Sequence, residues 1–282
     1  MGKRWPALDV DTASQTEADI AQATADDFAP TAVEDTAAGL RFFFPNAAER
    51  DRAAAALLPR FSVCPLDVDD EDWARRSQQG LAPVTVGRLT ILPAPPARPD
   101  LPVPPALPAL VIPPSMGFGT GHHATTRLCL AALQQIDLTD AEALDLGTGS
   151  GVLAMAAVHL GAAHALGVDD DPDAIQSAVE SLALNPGLPA GRILFVVGDL
   201  MTMEVPAADV VTANLTGGLL IRAAGRLRQA VKPGGALIMS GLQTHERDEV
   251  WRAFAGLDLE AEAAEDGWIT FTARRLSNGV RD

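Results

Sequence analysis

Ala143-Leu-Asp-Leu-Gly-Thr-Gly-Ser-Gly151 is an apolar run that ends in three alternating glycines. The apolar part reads as a buried strand. Its glycines allow a tight turn with no Cβ between the backbone and a ligand. The helix expected over Val152 to Leu160 offers its N-terminal amides at the same place. A second apolar run closes on Val168-Asp169. An acid at the end of that next strand can accept hydrogen bonds from both hydroxyls of a ribose. Gly147, Gly149, Gly151 and Asp169 are therefore expected to hold an adenosyl group. The alternative is a glycine turn that packs strand on helix and binds nothing.

Spacing separates two kinds of guest. A dinucleotide fingerprint, G-x-G-x-x-G, needs its third glycine at position 152, which is Val152. Asp145, just ahead of the glycines, would repel a pyrophosphate but could accept a hydrogen bond from an α-ammonium group. A phosphate-free adenosyl cofactor fits better than a nicotinamide dinucleotide, which would imply a dehydrogenase.

Composition bounds the rest. At 282 residues the chain can form a full α/β domain and a small second one. No apolar run reaches the ~18 residues of a membrane span. Met-Gly-Lys-Arg-Trp-Pro6 has cations but no apolar segment behind them, so no secretory signal is expected. The two cysteines, Cys64 and Cys129, make no metal or disulfide spacing. Cytoplasm is the expected compartment, with no membrane contact. A net charge of −16 argues against direct nucleic-acid binding and favours a basic protein partner, or serves solubility alone.

Four regions follow. Residues 1–67 alternate as Trp5–Val10 extended, Gln15–Phe28 helical, Thr31–Glu34 and Gly39–Phe44 extended, Ala47–Leu58 helical and Phe61–Leu66 extended, a βαββαβ order. Residues 68–114 combine a helix over Asp69–Gln79 with a stretch, 83–114, that holds 11 of the 21 prolines. That stretch reads as a semi-rigid linker, with Val84–Leu92 and Leu110–Ile112 as candidate edge strands. Residues 115–275 alternate strand and helix, with strands at 143–146, 165–168, 193–197, 210–213 and 236–240 and a closing pair at 257–261 and 268–273. This implies a parallel, doubly wound sheet. Residues 276–282 are a tail.

Further clusters bear on chemistry. In Met116-Gly-Phe-Gly-Thr-Gly-His-His-Ala-Thr-Thr-Arg127 the glycines permit a tight loop. Thr120, Gly121, His122 and Thr126 are expected to face the cofactor, with Thr120 beside the reacting methyl. Asp199 can accept an adenine amino group or belong to an ordinary Gly-Asp turn. Asn214, ending the fourth strand, can offer a carbonyl acceptor beside the glycine turn or cap the next helix. Lys232-Pro-Gly-Gly235 reads as a structural turn before the fifth strand. His122 and His123 are candidates for a general base or for loop packing; a metal site needs spaced ligands and is not expected.

Together these segments resemble the PrmA family, class I S-adenosylmethionine-dependent methyltransferases of ribosomal protein L11. The resemblance runs from about Asp67 to Arg275. It is carried by Asp69–Arg76 with Pro83–Arg88, the Phe118–Thr126 loop, Leu144–Gly151, Gly167–Pro172, Ala213-Asn-Leu215 and Ser240-Gly-Leu242. Pro113-Pro-Ser-Met116 departs from the Asp-Pro-Gly-Met usual there, and the first sixty residues match in layout alone. The resemblance implies a Rossmann-like α/β sheet with a small ferredoxin-like α+β domain for substrate recognition. The cofactor would be S-adenosyl-L-methionine, and methyl would pass to lysine or N-terminal amines of a basic protein, above all ribosomal protein L11.

The cofactor's sulfonium is already activated, so the protein has mainly to align methyl and amine. The amine must arrive deprotonated, which a partly apolar site favours. Asn214 is expected to hold that amine and, with Thr120, to form the catalytic pair. The alternatives are methylation of another protein lysine, as in electron-transfer-flavoprotein methyltransferases, methylation of a small amine, or an inactive cofactor-binding interaction module.

Overall fold

The computed structural model describes residues 4–25, 28, 30–36, 38–69, 82–93, 109–113, 121–189 and 191–276. The chain divides into two compact units, Met1–Gln79 and Gly80–Asp282. In the first, β1 (Arg4–Asp11), α1 (Gln15–Ala25), β2 (Ala32–Asp35), β3 (Gly39–Phe43), α2 (Ala47–Leu57) and β4 (Val63–Asp69) follow in βαββαβ order. The strands pair antiparallel as β2-β3-β1-β4, the ferredoxin-like arrangement. The period-2 pattern decides which face is buried. Leu8 and Val10 join Leu40 and Phe42 against Ala21, Ala53 and Leu57 of the helices, while Ala7 and Phe43 turn to the other face. Asn46 starts α2 by accepting the Glu49 N–H at 3.0 Å, with Glu49 itself placed favourably in the first turn.

The second unit is built on seven strands: β8 (Glu142–Leu146), β9 (His164–Asp169), β10 (Ile193–Val197), β11 (Ala208–Asn214), β12 (Val231–Gln243), β13 (Leu257–Glu265) and β14 (Trp268–Arg275). Their order is β10-β9-β8-β11-β12-β14-β13, with β14 antiparallel to both neighbours and the first five parallel. Helices α3 (Ala124–Leu133), α4 (Val152–His159), α5 (Pro172–Ala183), α6 (Gly217–Ala230) and α7 (Arg247–Ala253) connect and flank them. Both faces of β8 are covered: Ala143 faces one core cluster, Leu144 and Leu146 the other. This is why the strand reads as an unbroken apolar run. The chain leaves β8 toward β9 on one side and returns to β11 on the other. A crevice therefore opens at the C-terminal ends of β8 and β11, the switch point where ligands bind in such sheets.

Two local features differ from the sequence reading. Within 83–114, β5 (Val84–Val86), β6 (Leu89–Leu92) and β7 (Ala109–Val111) form a three-stranded sheet rather than a linker alone. Leu89, Ile91, Leu110 and Ile112 are buried in the core of the second unit. At roughly 1.5–3 kcal/mol per fully buried side chain, that outweighs the local influence of the prolines. Two amides fasten this sheet. Asn185 pairs with the backbone of Val111 through both its Oδ1 and Nδ2, each at 2.8 Å, and Gln134 accepts from Arg88 N–H and donates to the Val86 carbonyl. Lys232-Pro-Gly-Gly235 lies inside β12, as an irregularity between the Ala208–Val231 and Val210–Ala236 pairs, and not ahead of it. The expected helix over 69–79, beyond Asp69, and the prolines from Pro95 to Pro108 lie outside the described residues.

Candidate functional site

A cavity of about 380 Å³ opens at the switch point, lined by Gly147, Gly149, Asp169, Asp170, Asp171 and Ala174 from the β8 and β9 ends and by His123, Thr125, Asn214, Leu215, Thr216, Leu219, Gly241 and Trp268 from other elements. The glycine side is shaped by the turn after β8. Gly147 has φ +75°, which favours glycine, and a Cβ there would lie 2.3 Å from Leu215 Cδ2, so any other residue would also have to displace the Leu215 side chain that lines the cavity. Asp169 ends β9 as expected. Its Oδ2 accepts the Gly149 N–H at 2.9 Å and its Oδ1 the Asp171 N–H at 3.1 Å, so the carboxylate both fixes the turn and faces the cavity. Each oxygen keeps a second lone pair for a ligand hydroxyl.

Beneath the turn lies Asp145, 2 % exposed. It accepts hydrogen bonds from Thr148 Oγ1 and Thr212 Oγ1, both at 2.6 Å. Burial pushes its pKa up to about 6, against the opposite pull of the two hydroxyls. Its oxygens join the glycine turn to β11, directly beneath the cavity that Gly147 and Gly149 line.

Another part of the wall rests on the start of α3. His123 is its N-cap, with Nδ1 accepting from the Thr125 N–H at 3.4 Å and lying 2.8 Å from Thr125 Oγ1. Asn214 Nδ2 donates to the same Thr125 Oγ1 at 3.2 Å. Trp268 meets the His123 ring edge-on, with centroids 4.9 Å apart and planes at 67°. Arg127 holds these parts together: it donates to the His122 carbonyl, and pairs with Glu265 at 2.6 Å and Asp266 at 3.3 Å in the β13–β14 turn. That turn is Asp266-Gly267, with φ +51° and +80°, as a two-residue hairpin requires. Burial first, and Arg127 second, lower the pKa of His123 below its usual value.

Of the residues the sequence pointed to, the cavity gathers Gly147, Gly149, Asp169 and Asn214. Asn214 does not cap α6, whose N-cap is Thr216. Gly151 serves packing: a Cβ there would sit 2.6 Å from Phe195 Cζ. Gly121 packs on Ile91, and His122 Nε2 is 3.0 Å from the Ala82 carbonyl. Thr126 is fully buried and its hydroxyl meets no partner among the described residues. Asp199 Oδ1 accepts the Met201 N–H at 2.7 Å within its own turn, and the residue is not among those that line this cavity. Thr120 lies outside the described residues. The sequence offers His123 as a base or packing residue, Thr125 as a residue able to cap or to donate to a ligand, and Leu215 within the Ala213-Asn-Leu215 motif, but passes over Trp268 as a wall residue. His123-Ala-Thr125 carried an N-cap signal; Trp268 carried none, because the fold brings it from the far end of the chain.

The chemistry of the wall selects its guest. Among the described residues it presents three carboxylates and no lysine or arginine, which suits a cofactor with ribose hydroxyls and positive charge and would repel a pyrophosphate. Strand order, glycine turn and acid at β9 define a class I methyltransferase, for which S-adenosylmethionine is the methyl donor.

Comparison with known proteins narrows this class. Residues 9–276 match the family model for ribosomal protein L11 methyltransferase (PrmA). The ribosomal protein L11 methyltransferase of Pseudomonas fluorescens is 38% identical over 211 residues, 74% of this chain and 70% of that protein. That of Pseudomonas paraeruginosa is 37% identical over 214 residues, 75% of this chain and 70% of the relative. Among solved structures, the ribosomal protein L11 methylase of Lactobacillus delbrueckii subsp. bulgaricus aligns with a TM-score of 0.62 at 25% identity, covering 70% of this chain and all of that one. The chain belongs to the PrmA family and is an S-adenosylmethionine-dependent protein methyltransferase.

Proposed function

We propose that this enzyme transfers methyl groups from S-adenosylmethionine to amines of ribosomal protein L11, with Asp169 holding the cofactor ribose and Asn214 the incoming amine. The observation that carries the reading is one cavity that gathers Asp169 and the glycine turn together with Asn214 and Trp268. S-adenosylmethionine, when bound, supplies an activated methyl; the chain's own residues align and desolvate the two reactants. A neutral amine must aim its lone pair at the methyl, so the protein must hold it by its N–H bonds, through an acceptor. Asn214 Oδ1 is such an acceptor. Leu215, Leu219 and Trp268 exclude water and favour the uncharged amine.

The protein target follows from the substrate named for the relatives and from the net charge of −16, which suits a basic partner. No helix among the described residues is long and apolar enough to cross a membrane. We place the reaction in the cytoplasm, without nucleic acid as a direct partner. The first unit, ferredoxin-like, is assigned to docking the protein substrate.

Purified ribosomal protein L11 incubated with the enzyme and labelled S-adenosylmethionine tests this. Label is expected in L11, and Asn214→Ala should lower turnover by on the order of 10²-fold with cofactor affinity little changed. Unlabelled L11 would refute the target. An unimpaired Asn214→Ala enzyme would refute the role of the amide.

A further inference from the structure

We infer that His123 is a positioning residue for methyl transfer: through the Thr125 hydroxyl it fixes which way round the Asn214 side-chain amide sits, so that the carbonyl and not the NH₂ group faces the acceptor amine. The inference rests on the proposed role of Asn214.

It is built from hydrogen-bond direction. The Thr125 backbone N–H points at His123 Nδ1, 3.4 Å away, so Nδ1 must be an acceptor and the ring carries its proton on Nε2. The Thr125 hydroxyl, 2.8 Å from the same nitrogen, must then donate to it. Having given its single hydrogen to Nδ1, Thr125 Oγ1 can only accept from Asn214. The group it meets at 3.2 Å is therefore the amide Nδ2–H. That leaves Oδ1 on the side of Gly241, where a Cβ would come within 3.1 Å of it; both residues line the cavity. The order of donors along His123, Thr125 and Asn214 thus ends in an acceptor.

The reverse order would be harmful to the chemistry. Without an acceptor at Nδ1, the Thr125 hydroxyl can turn and donate to Asn214. The amide then gains as much by presenting Oδ1 to Thr125 and NH₂ to the cavity. A donor there would bind the lone pair that must attack the methyl. His123 need touch neither cofactor nor amine for its loss to slow transfer.

Two substitutions separate this role from a merely structural one. Asn is itself a favoured N-cap, and its Oδ1 takes the place of the imidazole Nδ1. His123→Asn should therefore retain most of kcat toward ribosomal protein L11. His123→Ala should lose on the order of 10²-fold in kcat, the scale expected for lost orientation at a reacting group, with KM for S-adenosylmethionine unchanged. Thr125→Val should behave like His123→Ala and Thr125→Ser like the parent enzyme. His123→Ala turning over normally would overturn the inference, as would His123→Asn as impaired as His123→Ala. Asn214→Ala is measured alongside: impairment there without impairment in His123→Ala refutes the His123 role alone and leaves the proposed function standing. Nitrogen-15 NMR of the histidine rings in the full chain gives a readout independent of any substrate. Nδ1 of His123 should titrate as an unprotonated acceptor at neutral pH, and a protonated Nδ1 there would refute the inference outright.

Discussion

Replacing Asp145 by Asn should make the protein's stability far less dependent on pH. An aspartate free in water titrates near 3.8, and burial raises the pKa of Asp145 to about 6. The sign is opposite to that of a salt-bridged carboxylate. Here the neutral form is the one the fold prefers, so stability is greatest below pH 3.8 and is lost as pH rises toward 6. The whole shift corresponds to about 3 kcal/mol, of which about 2 falls between pH 4 and pH 7. Asn cannot ionise, yet it fills the same volume and can bond both Thr148 and Thr212, accepting from one and donating to the other. Urea unfolding of both proteins at half-unit steps from pH 4 to pH 7.5 gives the difference in stability, from which titrations common to both cancel. That difference should move in favour of Asp145→Asn by about 2 kcal/mol across the range. Parallel curves would mean that Asp145 titrates normally and that water reaches it. Calorimetry on the same pair should show nearly equal cofactor affinity, since the carboxylate lies beneath the turn; a ~10-fold loss would instead indicate direct contact, at the 1.5–3 kcal/mol of a charged hydrogen bond.

Asp169→Ala should bind S-adenosylmethionine at least ~10-fold more weakly, because it loses a charge-assisted acceptor and frees the Gly149 N–H; equal affinity by calorimetry would remove the ribose role. Gly147→Ala should lose both stability and turnover, whereas Gly191→Ala, at nearly the same φ but with nothing within 4 Å of its Cβ, should cost only the backbone strain of roughly 1–2 kcal/mol. Equal effects in thermal unfolding and methylation would refute the Leu215 clash. A thiol reagent should modify Cys64, which is exposed, and spare Cys129, whose pKa burial raises to about 12, until the protein is unfolded; two reactive thiols in the native protein would contradict that burial.

The fold could be read closely because its signals are local. Alternating glycines after Leu146, the acid at Asp169 and the regular strand–helix spacing each depend on a few neighbouring residues, and the observed strands fall within a few positions of those expected. Part of the site was equally legible, since Gly147, Gly149, Asp169 and Asn214 sit at the ends of strands whose order follows from the α/β pattern. The remainder depends on distance in the chain. The burial of Asp145 was not legible, because the sequence shows its charge but not the two threonine hydroxyls that bond it. Trp268 was invisible because the last strand reaches the cavity only by turning back antiparallel beside β12. The strands β5, β6 and β7 fall where candidate edge strands were read, but their joining into a sheet buried through Leu89, Ile91, Leu110 and Ile112 was hidden by the surrounding prolines.

The placement of Trp268 in β14 also bears on how the enzyme is made. During synthesis the first unit can complete its four-stranded sheet as soon as β4 has emerged, long before any catalytic strand is paired. In the second unit β8 must wait for β11, and the wall that His123 begins is closed only when the last hairpin has docked. Such pairings between distant segments form slowly, because closing the intervening chain costs entropy before any contact is gained. A growing or truncated chain should therefore hold its N-terminal unit before the cavity is closed. Catalytic competence should appear in a single late step of maturation, and never piecemeal.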